Sequence, residues 1–433
     1  MSLSTVLRAS VASWLTSSAR LNLQRTLAEF SRKIRRQPHT IHYFHRADDP
    51  YCQLMVQVLP DIASRFAVEI KPLVVEQLPA NMYPDPARYE AYSIIDAARL
   101  ARLYGLGFVE DAVVPDRLAV GMVNRFLASK QQDPQFFQIA EEMGAALWRR
   151  DLDTVRRTCG LADLGDAQLE ANQRFLRDVG HYASASLHYA GEFFVGVDRL
   201  DHLERRLNKL GLGDGEVEFE VQRLWRYELE NLERSVTDQS VEVYFSVRSP
   251  YSFVGLQLIH HMAQKTGVRV DLKPVLPMLM RGMKVPPAKG RYILFDTARE
   301  ARLENVDFGH ICDPLGEATW RAMQIGFALM DDEKTGGKPG QAFEFFRSFT
   351  KGVWAQGIDG TSDAGLSRIL SNAGLSNAWI GKALDRAETE QKAEANRQEM
   401  FRHGSWGVPT FRAGGETFWG QDRMWAIVDA LKQ

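Results

Sequence analysis

At 433 residues, with 45% hydrophobic and 25% charged residues, the chain has the make-up of an ordinary globular protein long enough for two or three domains. A net charge of −2 leaves no field for capturing a polyanion, which argues against a nucleic-acid partner. The three cysteines, Cys52, Cys159 and Cys312, form neither a CxxC pair nor a metal-ligand set, so a reducing, cytoplasmic setting is expected rather than a disulfide framework.

No run reaches the ~18 apolar residues needed to cross a bilayer. Residues 1–38 stand apart all the same. Arg8, Arg20, Arg25, Arg32, Lys33, Arg35 and Arg36 share this segment with a single acid, Glu29, while leucines and Trp14 recur at near-helical spacing. Three readings fit: a surface helix docked on the body, an organelle-targeting peptide, or a basic helix in peripheral contact with a membrane. A secretory signal does not fit, because its apolar centre is missing.

Beyond this segment, a β-branched and aromatic run at 41–44 precedes a helix opened by Pro50. A short strand is expected around 67–75, and helical periodicity runs over about 86–180. Gly211, Gly213 and Gly215 then open a charged connector whose residues 216–233 read as helix. The plan now returns. A strand at 241–245 leads to a helix opened by Pro250, a strand around 268–276 and helical periodicity over 290–403. Two short strands at 409–413 and 416–419 flank Gly414-Gly415, and a helix at 421–432 closes the chain. Each half thus reads as a βαβ unit plus a ββα unit with a helical insertion between them.

The recurrence extends to single residues. Pro50-Tyr51 returns as Pro250-Tyr251, and Val68-Glu69-Ile70-Lys71-Pro72 as Val270-Asp271-Leu272-Lys273-Pro274. Asp96, Ala98, Arg99, Ala101, Arg102 and Leu103 return 200 positions on. Ala171-Asn172, Gly191-Glu192, Phe194, Gly196 and Asp198-Arg199 match Ala395-Asn396, Gly415-Glu416, Phe418, Gly420 and Asp422-Arg423. Four blocks in one order point to tandem duplication. The expected division is a basic segment at 1–38, a first copy at 39–211, a connector at 212–239 and a second copy at 240–433.

In the second copy, Ser249 is placed to cap the helix that Pro250 opens. A serine-proline pair often does no more than start a helix. A hydroxyl at the positive end of a helix also suits an anion, and a thiolate above all. Gly407-Val408-Pro409-Thr410 precedes the hairpin, and Val408-Pro409 is a candidate cis peptide whose loop would offer the backbone of Val408 to an extended ligand. An edge-strand proline is the plainer alternative.

As an ordered set, Ser249-Pro250-Tyr251-Ser252, Pro286-Pro287 with Lys289, Asp296-x-x-Arg299, Gly407-Val408-Pro409-Thr410 and the run from Gly414 to Arg423 resemble the 2-hydroxychromene-2-carboxylate isomerases. These are relatives of the kappa-class glutathione transferases within the DsbA-like thioredoxin group. The resemblance covers 241–433, and more faintly the first copy. It implies an α/β fold of two tandem thioredoxin-like domains, each with an all-α insertion, and glutathione as cofactor. It further implies that Ser249 holds the glutathione thiolate and Lys289 a carboxylate. Val408 and Pro409 would pair with the cysteinyl unit, Asp422 and Arg423 would meet the γ-glutamyl end, and Tyr251 and Ser252 would be secondary members. Met283 stands where the family often has asparagine, which puts the substrate in doubt. Serine at the family's cysteine position, with no second thiol, speaks against disulfide exchange.

The first copy looks spent. Asp49 stands where Ser249 stands, Ala185 matches Pro409 and Tyr89 matches Lys289, while Cys52 reads as a small packed residue or a lone thiol. A structural or dimer-mimicking role suits it. His260-His261 lack an i, i+4 partner for zinc, and the short glycine clusters lack nucleotide-loop context. The expected activity is a glutathione-dependent isomerase or transferase acting on an aromatic or unsaturated carboxylate, without metal. The alternative is a non-catalytic scaffold on a degenerate thioredoxin fold.

Overall fold

The computed structural model describes residues 3–76, 82–160, 165–231 and 236–432, with side chains from Ala9 onward. The side chain of Arg8, and Glu233 of the connector, lie outside these residues. Two compact units are present, one of residues 24–224, the other of residues 1–23 together with 225–433.

In the unit of residues 24–224, β1 (Thr40–His45) and β2 (Glu69–Val74) run parallel, while β3 (Ser186–Tyr189) and β4 (Glu192–Val195) form a hairpin. The sheet order is β2-β1-β3-β4. The helix Pro50–Arg65 links the two parallel strands, since a parallel pair needs a crossover and Asp49-Pro50 caps and opens one. Helices Pro86–Tyr104, Arg117–Lys130, Phe136–Trp148, Leu152–Cys159 and Asp166–Asp178 fill the expected helical stretch.

The other unit holds β5 (Ser240–Phe245), β6 (Arg269–Pro274), β7 (Thr410–Ala413) and β8 (Glu416–Trp419) in the order β6-β5-β7-β8. Its crossover helix is Pro250–Thr266, ended by Gly267 in the left-handed region at φ 74°. The insertion comprises helices Pro287–Leu303, Glu317–Lys334, Gln341–Ala355, Asp363–Asn372 and Arg386–Arg402, with a 3₁₀ turn Asn377–Ile380.

The two sheets agree residue by residue. Thr40 pairs with Glu69 and Ser240 with Arg269; Phe44 pairs with Ser186 and Tyr244 with Thr410; Ser186 pairs with Val195 and Thr410 with Trp419. Offsets are 200 before the insertion and 224 after it, so the second insertion is 24 residues longer. The match of Val68–Pro72 to Val270–Pro274 is corrected by this register: the shared Lys-Pro pairs lie two residues out of step, and Glu69, Ile70 and Pro72 answer to Arg269, Val270 and Leu272. β1 and β5 bury their residues in the same pattern, alternating and then buried on both faces, as expected of a strand with helices on either side. A polar contact is also shared. Asn172 Nδ2 donates to Val74 O at 2.8 Å, and Asn396 Nδ2 to Pro274 O at 2.9 Å, each tying the last insertion helix to the end of a parallel strand.

Two further sequence expectations need correction. Residues 216–233 do not form one helix; a 3₁₀ turn Val221–Leu224 and a short helix Trp225–Glu230 stand there, separated from the chain before them by Gly211, Gly213 and Gly215. The closing helix is Met424–Lys432, preceded by the 3₁₀ turn Gln421–Arg423, because Gly420 at φ 112° breaks the path into it.

Candidate functional site

Ser249 caps the helix Pro250–Thr266. Its Oγ accepts the N–H of Ser252 at 3.1 Å and donates over 3.4 Å to the carbonyl of Val408. The first bond is the ordinary N-cap contact. The second is long, so the hydroxyl proton is only loosely engaged and open to a stronger acceptor. Ser249 is half-buried, whereas Ser252 is fully buried with its Oγ accepting the Ser246 N–H at 3.3 Å. Ser252 therefore holds the loop from inside and does not line an open cleft.

Val408 meets Ser249 from the opposite element. The Val408–Pro409 peptide is cis, as expected, and Ser184–Ala185 is not among the cis bonds of the described residues. The N–H of Val408 makes no hydrogen bond among the described residues, and the residue is half-exposed. Gly407 is required here: a Cβ on it would lie 2.5 Å from Nε1 of Trp419, whose ring sits 4.8 Å from that of Trp406. At Gly255 a Cβ would come 3.0 Å from Phe411 and 3.5 Å from Pro409, so the helix runs close against the strand entry.

Tyr251 donates to Asp296 Oδ2 at 2.8 Å, and Asp296 also pairs with Arg299. Lys289 lies seven residues, two helical turns, before Asp296 on the same helix face, about 10 Å along the axis. It sits in the first turn, where no acid offsets the positive helix end, and burial draws its ammonium down to about 8. Met283 follows the 3₁₀ turn Met278–Arg281, with its N–H bound to Met278 O. Before the helix, Arg248 forms two 2.9 Å bonds to Asp313, and Trp354 Nε1 donates to Val247 O at 3.0 Å, tying the loop to the insertion.

Asp422 and Arg423 form an ion pair at 3.2 Å on the 3₁₀ turn, with Arg423 buried. Asp198 and Arg199 repeat it at 3.7 Å in the other unit. Tyr51 likewise repeats the Tyr251 contact, donating to Asp96 at 2.9 Å. These pairs are common to both halves, so their presence alone marks fold rather than chemistry.

The halves part company at three places. Asp49 caps its helix through the N–H of Tyr51 at 3.0 Å, and its other oxygen accepts from Ser184 Oγ at 2.6 Å. Burial raises the Asp49 carboxyl, opposed by nearby Arg46 and by the Ser184 bond. Tyr89, at the place of Lys289, stacks on Tyr83 at 3.8 Å. Cys52 is buried and accepts from Arg46 N–H at 3.3 Å and Ala185 N–H at 3.1 Å, and burial pushes its thiol well up. It is the packed inner residue, like Ser252, and not an exposed nucleophile.

Sequence reasoning did not pick out Glu242, Glu399 and His403, whose ligand atoms all lie within 4.8 Å of one another. Their spacing of 157 residues between the glutamates carries no local signal. The cluster is already charge-balanced, with Lys273 on both oxygens of Glu399 at 2.8 and 3.0 Å and Arg412 3.6 Å from Glu242. His260, half of the dismissed zinc pair, is engaged with Glu344 at 2.9 Å.

Residues 240–432 match the family model described as the DSBA-like thioredoxin domain. Glutathione S-transferase kappa 1 of Rattus norvegicus is 25% identical over 201 residues, 42% of this chain and 87% of that protein. A 2-hydroxychromene-2-carboxylate isomerase of Pseudomonas putida is 24% identical over 202 residues, 44% of this chain and 93% of its own. Among solved structures, a 2-hydroxychromene-2-carboxylate isomerase is similar with TM-score 0.36 and 21% identity, covering 44% of this chain and 93% of the other. A probable DsbA oxidoreductase from Streptomyces coelicolor is similar with TM-score 0.33 and 19% identity, covering 45% and 88%.

Proposed function

With a DsbA-like thioredoxin domain in residues 240–432 as the premise, we propose that this half is a glutathione-dependent isomerase or transferase working at Ser249 on an aromatic or unsaturated carboxylate. The observation that carries the reading is the Ser249 hydroxyl at a helix N-terminus, held only by a long bond to the carbonyl of Val408, a residue whose own N–H makes no hydrogen bond among the described residues. The relatives named for glutathione transfer and for chromene carboxylate isomerisation support it at the level of chemistry class.

The residues fit a tripeptide thiol. Ser249 can donate to a thiolate without losing its cap, because the Ser252 N–H uses a lone pair and not the proton. The helix N-terminus favours the same negative charge. Val408 offers one backbone donor for strand-like pairing. Lys289 supplies a cation in a poorly solvated place, where pairing with a carboxylate would restore its charge. Asp422 and Arg423 would serve the γ-glutamyl end in addition to bracing their turn. Bound glutathione would supply a nucleophile that adds reversibly to a conjugated carbon, allowing rotation before the double bond re-forms, with no net redox change.

The half of residues 39–211 is read as a tandem copy that has lost this site. Asp49 and Ser184 satisfy one another where Ser249 and Val408 remain open to a ligand. Calorimetric titration of the full chain with reduced glutathione tests the proposal. One site per chain is expected, weakened by Lys289→Met. No measurable heat at millimolar glutathione overturns it in favour of a scaffold.

A further inference from the structure

The helix Ser18–Ile34 is amphipathic but turned the unusual way round. Its polar side meets the body. Gln24 Nε2 donates to Gly191 O at 3.2 Å, and Arg25 forms two 2.7 Å bonds to the carboxylate of Glu192 on the β3–β4 hairpin. Glu29, the one acid of the segment, is turned inward and engaged by Arg32 at 2.7 Å and Lys33 at 3.6 Å. No residue of the helix is buried. Leu27, Phe30 and Ile34 are 58%, 63% and 65% exposed, and Leu23 one turn earlier is 54% exposed. Their spacing of four, three and four places them in a single stripe.

A surface helix ordinarily buries such a stripe and shows its charges, because apolar area in water is costly. Here the ion pairs hold the helix and the stripe is left facing out. Lys33, Arg35 and Arg36 are exposed at its C-terminal end, and the outward face carries no acid. We propose that this face docks on a bilayer bearing anionic lipids, the stripe entering the boundary between headgroups and acyl chains and the three cations meeting the headgroup charge. The charge decides the occupant: an apolar stripe ringed at one end by exposed cations, of which Lys33 alone has an acid nearby, Glu29 on the inner side, matches an anionic surface better than a neutral protein groove.

The full chain is sedimented with vesicles of phosphatidylcholine alone and of phosphatidylcholine with about one-third phosphatidylglycerol. At least about tenfold stronger binding to the anionic vesicles is expected, weakened near 0.5 M salt. Leu27→Glu with Phe30→Glu should abolish binding with the circular dichroism spectrum unchanged. Lys33→Glu, Arg35→Glu and Arg36→Glu together should reduce it about tenfold or more with the stripe intact. Equal binding to both vesicles, no binding, or unaltered binding of the stripe variant overturns the proposal. So does a wild-type dimer in size-exclusion chromatography that the stripe variant disperses, which would assign the face to a second copy of this chain.

Discussion

The carboxylate of Asp49 accepts the hydroxyl proton of Ser184 at 2.6 Å, and both residues are buried. Ser249 and Val408 occupy the matching places in the other half, 3.4 Å apart and half-exposed. One contact is complete in itself, while the other leaves a donor on each partner for something else.

Replacing Ser249 by Ala should therefore lower any glutathione-dependent turnover ten- to hundredfold, since a hydrogen bond to a charged group is worth about 1.5–3 kcal/mol. Glutathione affinity should change much less. The lost cap should lower stability by about 1 kcal/mol, visible as a small fall in Tm. Asp49→Ala should leave turnover unchanged. The reverse pattern of kinetics would place the working site in the other half.

Asp49→Asn tests the buried acid. Burial raises the Asp49 carboxyl above its ordinary value of 3.8, so the folded state binds its proton more tightly than the unfolded state does. That stabilising contribution is complete below the ordinary value and is lost as pH rises through the folded one. At neutral pH the asparagine variant, which has no charge to bury, should melt higher than the wild type. The difference should shrink as pH falls towards 3.8. Thermal melts across this range decide it; an equal gain at every pH would contradict the buried charge.

Lys289 titrates near 8, and a pairing role requires its protonated form. Affinity for S-methylglutathione, which has no thiol to ionise, should fall about three- to tenfold between pH 7 and 9. In Lys289→Met that part of the pH dependence should vanish and the neutral-pH affinity should already be low. Calorimetry at several pH values measures both.

Cys52 and Cys159 are buried and Cys312 is half-buried, all three as free thiols raised by burial. Ellman's reagent should react slowly with Cys312 in the native protein and with the other two only on denaturation. Prompt reaction of two thiols would reopen disulfide chemistry.

Much of the fold was legible because the chain states it twice. Pro50-Tyr51 and Pro250-Tyr251 marked both crossover helices, and the Gly414-Gly415 pair marked the hairpin. The Ser249–Val408 approach could be inferred from their motifs, although the residues lie 159 positions apart. Other features depend on what a residue touches. Asp296 stood in the motif set without a role; it anchors Tyr251, and Asp96 does the same for Tyr51. Serine at 184 gave no hint that its hydroxyl would satisfy Asp49. The near-helical spacing of the leucines in 1–38 was visible, but the outward direction of the stripe they form with Phe30 and Ile34 was not. That direction depends on Arg25 finding Glu192 on a hairpin far along the chain.

The matched ladders have a consequence for how such a chain can change. Shifting any one pair by a residue would turn a whole strand face from core to solvent, and the 24 additional residues of the second half all enter between β6 and β7, outside the ladders. The helical insert is thus the part that can grow. The end that carries Asp49 and Ser249 differs by exchanges at fixed places: aspartate or serine at 49 and 249, tyrosine or lysine at 89 and 289, alanine or proline at 185 and 409. Side chains at these places can be exchanged without disturbing a single strand pairing, whereas the size of the helical part is set by insertion length.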